Sequence, residues 1–454
     1  MQAQLLKKYD IPIPRYTSYP TMPHWDTENF SPVKFLHALK KVFDESNSTK
    51  GISLYIHLPF CESLCTYCAC NTRITKNHHV EEKYIHALLN EWNQYKAVLK
   101  GKPIIRELHL GGGTPTFFSP ENLKWLLTDL FKDVDIHPEH EFSFEGHPNN
   151  TTEQHLQTLF DFGFSRVSFG VQDLDEKVQK TIHRIQPFAN LKRVVNQSRA
   201  IGYKSVNFDL IYGLPFQTPS TIIHTFEKVL TLRPDRVSFY SYAHVPWVKP
   251  GQRGYEDADL PSDVVKRLLY ETGRSMLKAE GYDDIGMDHF ALPHDTLFQA
   301  QKRGKLHRNF MGYTTQETDL LIGLGCSAIS DAKYAYAQNE KKVEVYTQAI
   351  NENRLPIFKG HIQTQQDLTL KKCILEIACQ GKITKKNFSH AMDDATLGLL
   401  HTFHCEGILK QDTEGFHVTE LGRAFIRNIC HAFDLRQRNA HISVSPSSIF
   451  SKAI

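Results

Sequence analysis

This sequence reads as an α/β protein: an incomplete (β/α)6 TIM-like barrel, with an N-terminal extension and a small, mainly α-helical, winged-helix-like C-terminal domain. Three observations lead there. Between about residues 50 and 245, short strand-like runs alternate with amphipathic helical ones over short connections, the pattern of a parallel sheet. These units number six, fewer than the eight of a closed barrel. After about residue 355 the order changes to helices followed by a small hairpin. A doubly wound open sheet competes, but no strand is followed by the glycine fingerprint it usually carries.

The expected strands are Ser53–Leu58, Glu107–Leu110, Glu141–Glu145, Arg166–Phe169, Ser205–Tyr212 and Arg236–Ser241. Helix starts between them carry explicit signals. Ser119-Pro120 supplies an N-cap and a first-turn proline, and Leu123, Leu126, Leu127 and Leu130 then repeat at helical spacing. Thr151 and Gln154 are spaced as a capping box ahead of Leu156, Leu159 and Phe160, and Gly163 stands where a C-terminal cap belongs. Thr218-Pro219 opens a helix with Ile222, Phe226, Val229 and Leu230 on one face. Further on come helices around Leu368–Ala378 and Asp394–Phe403, a hairpin from Ile408 to Val418 turning at 412–415, and a last helix opening at Thr419. The implied division is 1–48 as extension or lid, 49–285 as partial barrel, 286–355 as a barrel-completing region, and 356–454 as the C-terminal domain.

Composition narrows the function classes. The 454 residues are 41% hydrophobic and 23% charged, with 53 basic against 50 acidic side chains. A formal charge of +3 argues against general nucleic-acid coating or a polybasic membrane anchor. No apolar run is long enough for a membrane helix, and the opening residues lack the apolar stretch of a signal peptide. A cytoplasmic location is expected.

Nine cysteines need explaining. Cys61, Cys65, Cys68 and Cys70 crowd together, while Cys326, Cys373, Cys379, Cys405 and Cys430 are scattered and read as buried structural thiols. An odd count without an export signal is a poor disulfide framework. Cys61-x-x-x-Cys65-x-x-Cys68 directly follows the first strand, and strand C-termini of such sheets are where functional loops collect. Three thiolates can wrap one soft metal centre. Zinc with Cys70 as fourth ligand is the plainer option. An iron–sulfur cluster held by only three cysteines would leave one iron open to a small molecule. Cys70, one residue beyond Cys68, reads as adjacent to the centre and not as a ligand.

The CxxxCxxC loop after a first strand resembles the signature of radical S-adenosylmethionine (SAM) enzymes. Tyr67 matches an aromatic residue that the family places against adenine, and Gly111-Gly112-Gly113-Thr114-Pro115-Thr116 ends the second strand. Over nearly the whole chain the sequence is similar to the oxygen-independent coproporphyrinogen III oxidase (dehydrogenase) family. The matching blocks are Pro14–Thr21, Cys70-Asn71, Gly170–Asp173, Asp209–Pro215, Tyr242–His244, and residues 286–293, 306–315 and 323–330.

That resemblance implies a [4Fe-4S] cluster held by Cys61, Cys65 and Cys68, and two SAM molecules. Tyr55, Gly111, Glu145 and Ile329 fall at contacts to the cluster-bound SAM. Tyr67, Gly112, Gly113, Thr114, Gln172, Arg184, Asp209 and Ala243 fall at contacts to the second, and Cys70 takes a catalytic role in proton or electron handling. Two departures stand out: Ala69 where Gly is expected, and Gly146-His147 where Val-Asp is common. The implied reaction converts two propionates of coproporphyrinogen III to vinyl groups without dioxygen. It draws on an external low-potential electron donor and an electron acceptor, in a monomer that binds no nucleic acid. The tetracarboxylate substrate calls for a cationic cleft, for which Arg15, Arg308 and His307 are candidates. The nearest rival is a haem-delivering chaperone on the same scaffold, which generally lacks Cys70 and the Pro14–Thr21 segment. A radical methyltransferase that opens haem and a winged-helix regulator are further rivals.

Overall fold

The computed structural model describes residues 2–388 and 393–440. Its centre is one twelve-stranded sheet. Six of those strands follow one another in chain order and are parallel: β1 (Ile52–Leu58), β2 (Ile104–Gly112), β3 (Asp135–Gly146), β4 (Phe164–Gln172), β5 (Ser205–Tyr212) and β6 (Arg236–Ser241). All six expected strands are there, and the last two have the expected bounds. Beyond β1 the sheet continues through parallel Leu321–Leu324 and then three antiparallel strands. Beyond β6 it continues through antiparallel His289–Ala291 and Asp283–Gly286. Among the described residues the two ends do not pair, in keeping with six units and not eight.

The faces of the six strands differ sharply. Leu54, Ile56, Leu108, Leu110, Phe142, Phe144, Val167, Phe169, Val206, Phe208, Val237 and Phe239 point one way and are buried in the main core with the helices. The alternate positions are polar: Ser53, Glu107, Glu141, Arg166, Ser205 and Arg236 towards one end, then Tyr55, His109, Ser143, Ser168, Asn207 and Ser238. A parallel sheet covered by helices on both faces reads as continuous apolar runs. Here the second face is a polar lumen whose side chains satisfy one another. Ser53 and Thr314 hydroxyls donate to the two oxygens of Glu107 at 2.7 and 2.6 Å, and Arg236 pairs with Asp295 at 2.6 Å.

Helix starts follow the chemistry of orphan N–H groups. The Ser119 hydroxyl accepts the Asn122 N–H, and the Thr218 hydroxyl accepts that of Thr221. The expected Thr151–Gln154 box is corrected by one residue: Thr152 is the cap and His155 its partner. Thr151 is buried instead, and its hydroxyl bonds Thr116 and the His147 carbonyl.

The N-terminal 48 residues divide. Helix Pro32–Lys50 packs Phe35, Leu39, Val42 and Phe43 into the main core. The segment before it carries Leu5, Tyr9, Ile13, Tyr16 and Tyr19 into the core of the C-terminal part. That part has helices Gln365–Gln380 and Asp394–Cys405 and a three-stranded sheet: Lys382–Thr384, Leu409–Gln411 and Gly415–Val418. The helix–strand–helix–hairpin order is winged-helix-like, as expected. The segment after Thr419 begins as a 3-10 turn, Leu421–Phe425, before helix Ile426–His431. Among the described residues no helix is long and apolar enough to cross a membrane.

Candidate active site

The cysteine loop leaves the C-terminal end of β1, beside the ends of β2 and β3. Cys61, Cys65 and Cys68 are unpaired and half-buried, and Cys70 is exposed. Thr114 Oγ1 lies 3.3 Å from Cys61 Sγ, and Arg184 Nη1 donates to Cys65 Sγ at 3.6 Å. Burial pushes the Cys61 thiol up to about 11. Cys68 is pulled down to about 6, first by its hydrogen bond with Cys70, whose own thiol is raised by the same bond. Among the described residues, no three or more His, Cys, Asp or Glu side chains could hold a single metal ion as they stand. The donor set nevertheless suits a thiolate-bound cluster: three free sulfurs on one loop, with a guanidinium beside them to balance negative charge. Nε of Arg184 is buried without a partner among the described residues, a donor still open to a ligand.

The glycine run has a local reason. A Cβ on Gly113 would stand 2.5 Å from the Pro59 carbonyl oxygen, and one on Gly112, at φ +116°, would stand 2.7 Å from the His57 ring. These two glycines therefore let the ends of β1 and β2 close on each other, beyond any approach to a ligand. Gly111 faces the lumen between Glu145 and Tyr55.

Around that centre the structure gathers the candidate residues. Glu145 Oε2 accepts the Gly112 N–H at 3.3 Å, and Oε1 lies 3.5 Å from His109 Nε2. Burial alone would raise its carboxyl, but His109 and Gly112 outweigh it and hold the pKa below the ordinary range. Asp209 is raised by burial; it accepts from Ser168 at 2.7 Å and Asn207 at 3.0 Å. Gln172 takes φ +64° at a break in register between β4 and β5, and Arg184 Nη2 donates to the Gly170 carbonyl at 2.6 Å. Left-handed backbone in a glutamine is a strain that functional sites tolerate. Tyr55 pairs with Gly323, and Gly323 lies against the backbone of Ile329, which brings Ile329 to the lumen wall beside Tyr55. Tyr67 packs against the cluster of Val178, Ile182, Leu214, Tyr242 and Tyr255.

Several residues here escaped the sequence reading. Fully buried Gln252 donates to the carbonyls of Tyr67 and Ala243 at 3.3 and 3.2 Å and accepts the Val245 N–H at 2.6 Å, joining two candidate residues. His57 bonds Tyr55 Oη at 3.0 Å and the Asn71 carbonyl at 2.8 Å. No motif flags a lone glutamine in a loop. The alternation in SLYIHL and ELHLGG could have placed His57 and His109 on the inner face.

The departures fit locally. His147 Nδ1 accepts the Asn149 N–H at 3.1 Å, the bond an aspartate makes in an Asx-turn. Burial and Arg184 push its pKa down to about 3, so it does this as a neutral ring. Ala69 is exposed. Of the cationic candidates, Arg15 and Arg308 meet, whereas His307 faces away among Glu317, Lys371 and Asp331. Of the scattered cysteines four are buried, but Cys405 is exposed, a correction to the expectation for all five.

A polar lumen with a three-cysteine loop at its mouth is the architecture of a radical SAM enzyme, and the sequence profile of the Radical SAM superfamily matches residues 55–229. Proteins named oxygen-independent coproporphyrinogen III oxidase from Helicobacter pylori and Escherichia coli are 39% and 38% identical, over 96% of this chain and 97% and 95% of their own. The solved E. coli coproporphyrinogen III oxidase, described as a Radical SAM enzyme, superposes with TM-score 0.88 at 36% identity, over 95% of this chain and 98% of its own. The chain belongs to the oxygen-independent coproporphyrinogen III oxidase family.

Proposed function

We propose that this protein oxidatively decarboxylates two propionate side chains of coproporphyrinogen III to vinyl groups, giving protoporphyrinogen IX without dioxygen. The observation that carries it is end-to-end similarity to oxidases of that name, combined with an intact three-cysteine loop opening onto a polar lumen. Cys61, Cys65 and Cys68 would hold a [4Fe-4S] cluster. When bound, the cluster and SAM supply an electron and a 5′-deoxyadenosyl radical that takes hydrogen from the propionate carbon next to the ring.

The chain's own groups bind, orient and shield. Tyr55, Gly111, Glu145 and Ile329 line the place for the cluster-bound SAM, where the ionised Glu145 carboxylate accepts from an ammonium group. Tyr67, Gly112, Gly113, Thr114, Gln172, Arg184, Asp209 and Ala243 line the place for a second SAM, and Arg184 is suited to a carboxylate. Cys70 holds a proton at Sγ against Cys68, at the exposed rim of the loop.

The finer picture is a cytoplasmic monomer that takes electrons from an external low-potential donor, passes them to an acceptor and binds no nucleic acid. We divide the chain as 1–48, 49–285, 286–355 and 356–454, with the N-terminal segment strapping the C-terminal part over the barrel. Cys70 and the segment around Tyr16 and Tyr19 favour synthesis over a haem-delivering chaperone. Anaerobic reconstitution followed by incubation with coproporphyrinogen III, SAM and a reductant should yield protoporphyrinogen IX. Stoichiometric haemin binding without turnover would overturn the reading.

A further inference from the structure

We propose that the buried guanidinium of Arg308, seated against Arg15, is a receptor for a carboxylate of the substrate; this rests on the reading that the substrate is a porphyrinogen tetracarboxylate. Arg308 lies on the strand His307–Asn309 and is only 5% exposed. Its Nη2 donates to the Arg15 carbonyl at 3.2 Å, and its guanidinium lies 4.6 Å over the Tyr313 ring. Nε and Nη1 are buried and reach no partner, and no carboxylate pairs with the group among the described residues. A guanidinium taken out of water without an anion is costly, and one that persists marks a place where an anion binds.

The surroundings deepen the imbalance. Arg15 and Arg427 converge on the same stretch of chain: Arg427 donates to the carbonyls of Ile13 and Pro14, while Arg15 pairs with Asp288 at 2.7 Å. His289 is pushed down to about 4 by burial and by Arg308, and its Nε2 lies 3.3 Å from Tyr240 Oη. Tyr240 is on the lumen face of β6, across from the strand that carries Asp209, and the Arg15 guanidinium lies 5.6 Å over its ring. The guanidiniums thus adjoin the lumen wall on the side of Asp209. Arg15 and Arg427 also line a cavity of about 940 Å³ between helix Asp263–Ala279, the turn at Met287-Asp288 and the C-terminal part. Arg308 is not itself in that lining but donates to Arg15, which is; a planar fork of donors one residue behind a cavity of that size suits one propionate of a large macrocycle.

The same chemistry could serve the carboxylate of SAM, so the test separates the two. Reconstituted wild-type, Arg308→Gln and Arg308→Lys proteins are titrated anaerobically with coproporphyrin III, its tetramethyl ester and S-adenosylhomocysteine. We expect Arg308→Gln to lose tenfold or more in affinity for the free-acid porphyrin, with Arg308→Lys intermediate. The ester should bind wild type and variant alike, and S-adenosylhomocysteine affinity should not change. Equal free-acid affinity in Arg308→Gln and wild type overturns the proposal, as does a loss confined to S-adenosylhomocysteine. Should Arg308→Gln not fold, Arg308→Lys decides: unchanged discrimination between acid and ester overturns the proposal. Absence of porphyrin binding and turnover in wild type would instead defeat the functional reading itself.

Discussion

At the cysteine loop, neighbours set the character of each thiol. Cys65 takes a hydrogen bond from Arg184 at 3.6 Å, and Cys61 sits by Thr114 at 3.3 Å. Both contacts fix the position of a sulfur that the cluster would use, while burial raises the Cys61 thiol. Replacing Cys65 with Ala should therefore abolish both the brown iron–sulfur absorbance and the turnover; normal turnover in that variant would overturn the ligand assignment. Gln252 makes a different kind of contribution. Its buried amide serves two carbonyls and one N–H. Gln252→Ala should cost about 2–4 kcal/mol by leaving those groups unsatisfied. Denaturant titration would show the loss, and a higher KM for SAM would follow if Tyr67 and Ala243 line its site.

Between elements, closeness is bought with missing side chains. The ends of β1 and β2 meet at Gly112 and Gly113, where the contacts a Cβ would make are to ring and backbone atoms. Backbone cannot swing aside, so Gly113→Ala should destabilise by about 1–3 kcal/mol, seen as a lower Tm. A milder change, Ser119→Ala, should cost about 1 kcal/mol, since it removes only the side-chain acceptor for the Asn122 N–H. Helix Val80–Leu99 is fixed to the sheet by Glu91, fully buried, whose carboxyl accepts from Gly325 N, Tyr346 Oη and Asn339 Nδ2 at 2.8, 2.7 and 2.6 Å. Burial outweighs these bonds and lifts its pKa from 4.5 to about 7. The folded state therefore keeps a proton that the unfolded chain has lost between those values. Stability from this group falls as pH rises through that window and is level above it. Urea titrations of wild type and Glu91→Gln from pH 4.5 to 8 should show the wild-type stability declining relative to the variant by about 2–3 kcal/mol; parallel curves would contradict the assignment.

Across the molecule, the N-terminal segment adds to the contacts between the barrel and the C-terminal part. Tyr16 Oη reaches His431 and Asp434 at 3.2 and 3.1 Å, and the Tyr19 carbonyl accepts from Tyr336 at 3.0 Å. This strap also carries Arg15 to Arg308, 293 residues away in the chain. The six parallel strands and two of the three helix caps, at Ser119 and Thr218, could be read beforehand, because period and capping depend on residues a few positions apart. The cysteine spacing and the glycine run likewise announced their chemistry within short stretches. Two things could not be read that way. The polar face of the six strands is visible as alternation, but that it becomes a lumen depends on how the sheet curves and on the core helices packing against its other face. The meeting of Gln252 with Tyr67 and Ala243, and of Arg308 with Arg15, depends on loops and hairpins whose positions are set by packing. Sequence pattern is local, whereas a binding site is a convergence of distant chain. The loop that names the family therefore lay open in the sequence, and the guanidiniums assigned to its substrate came together only in the folded molecule.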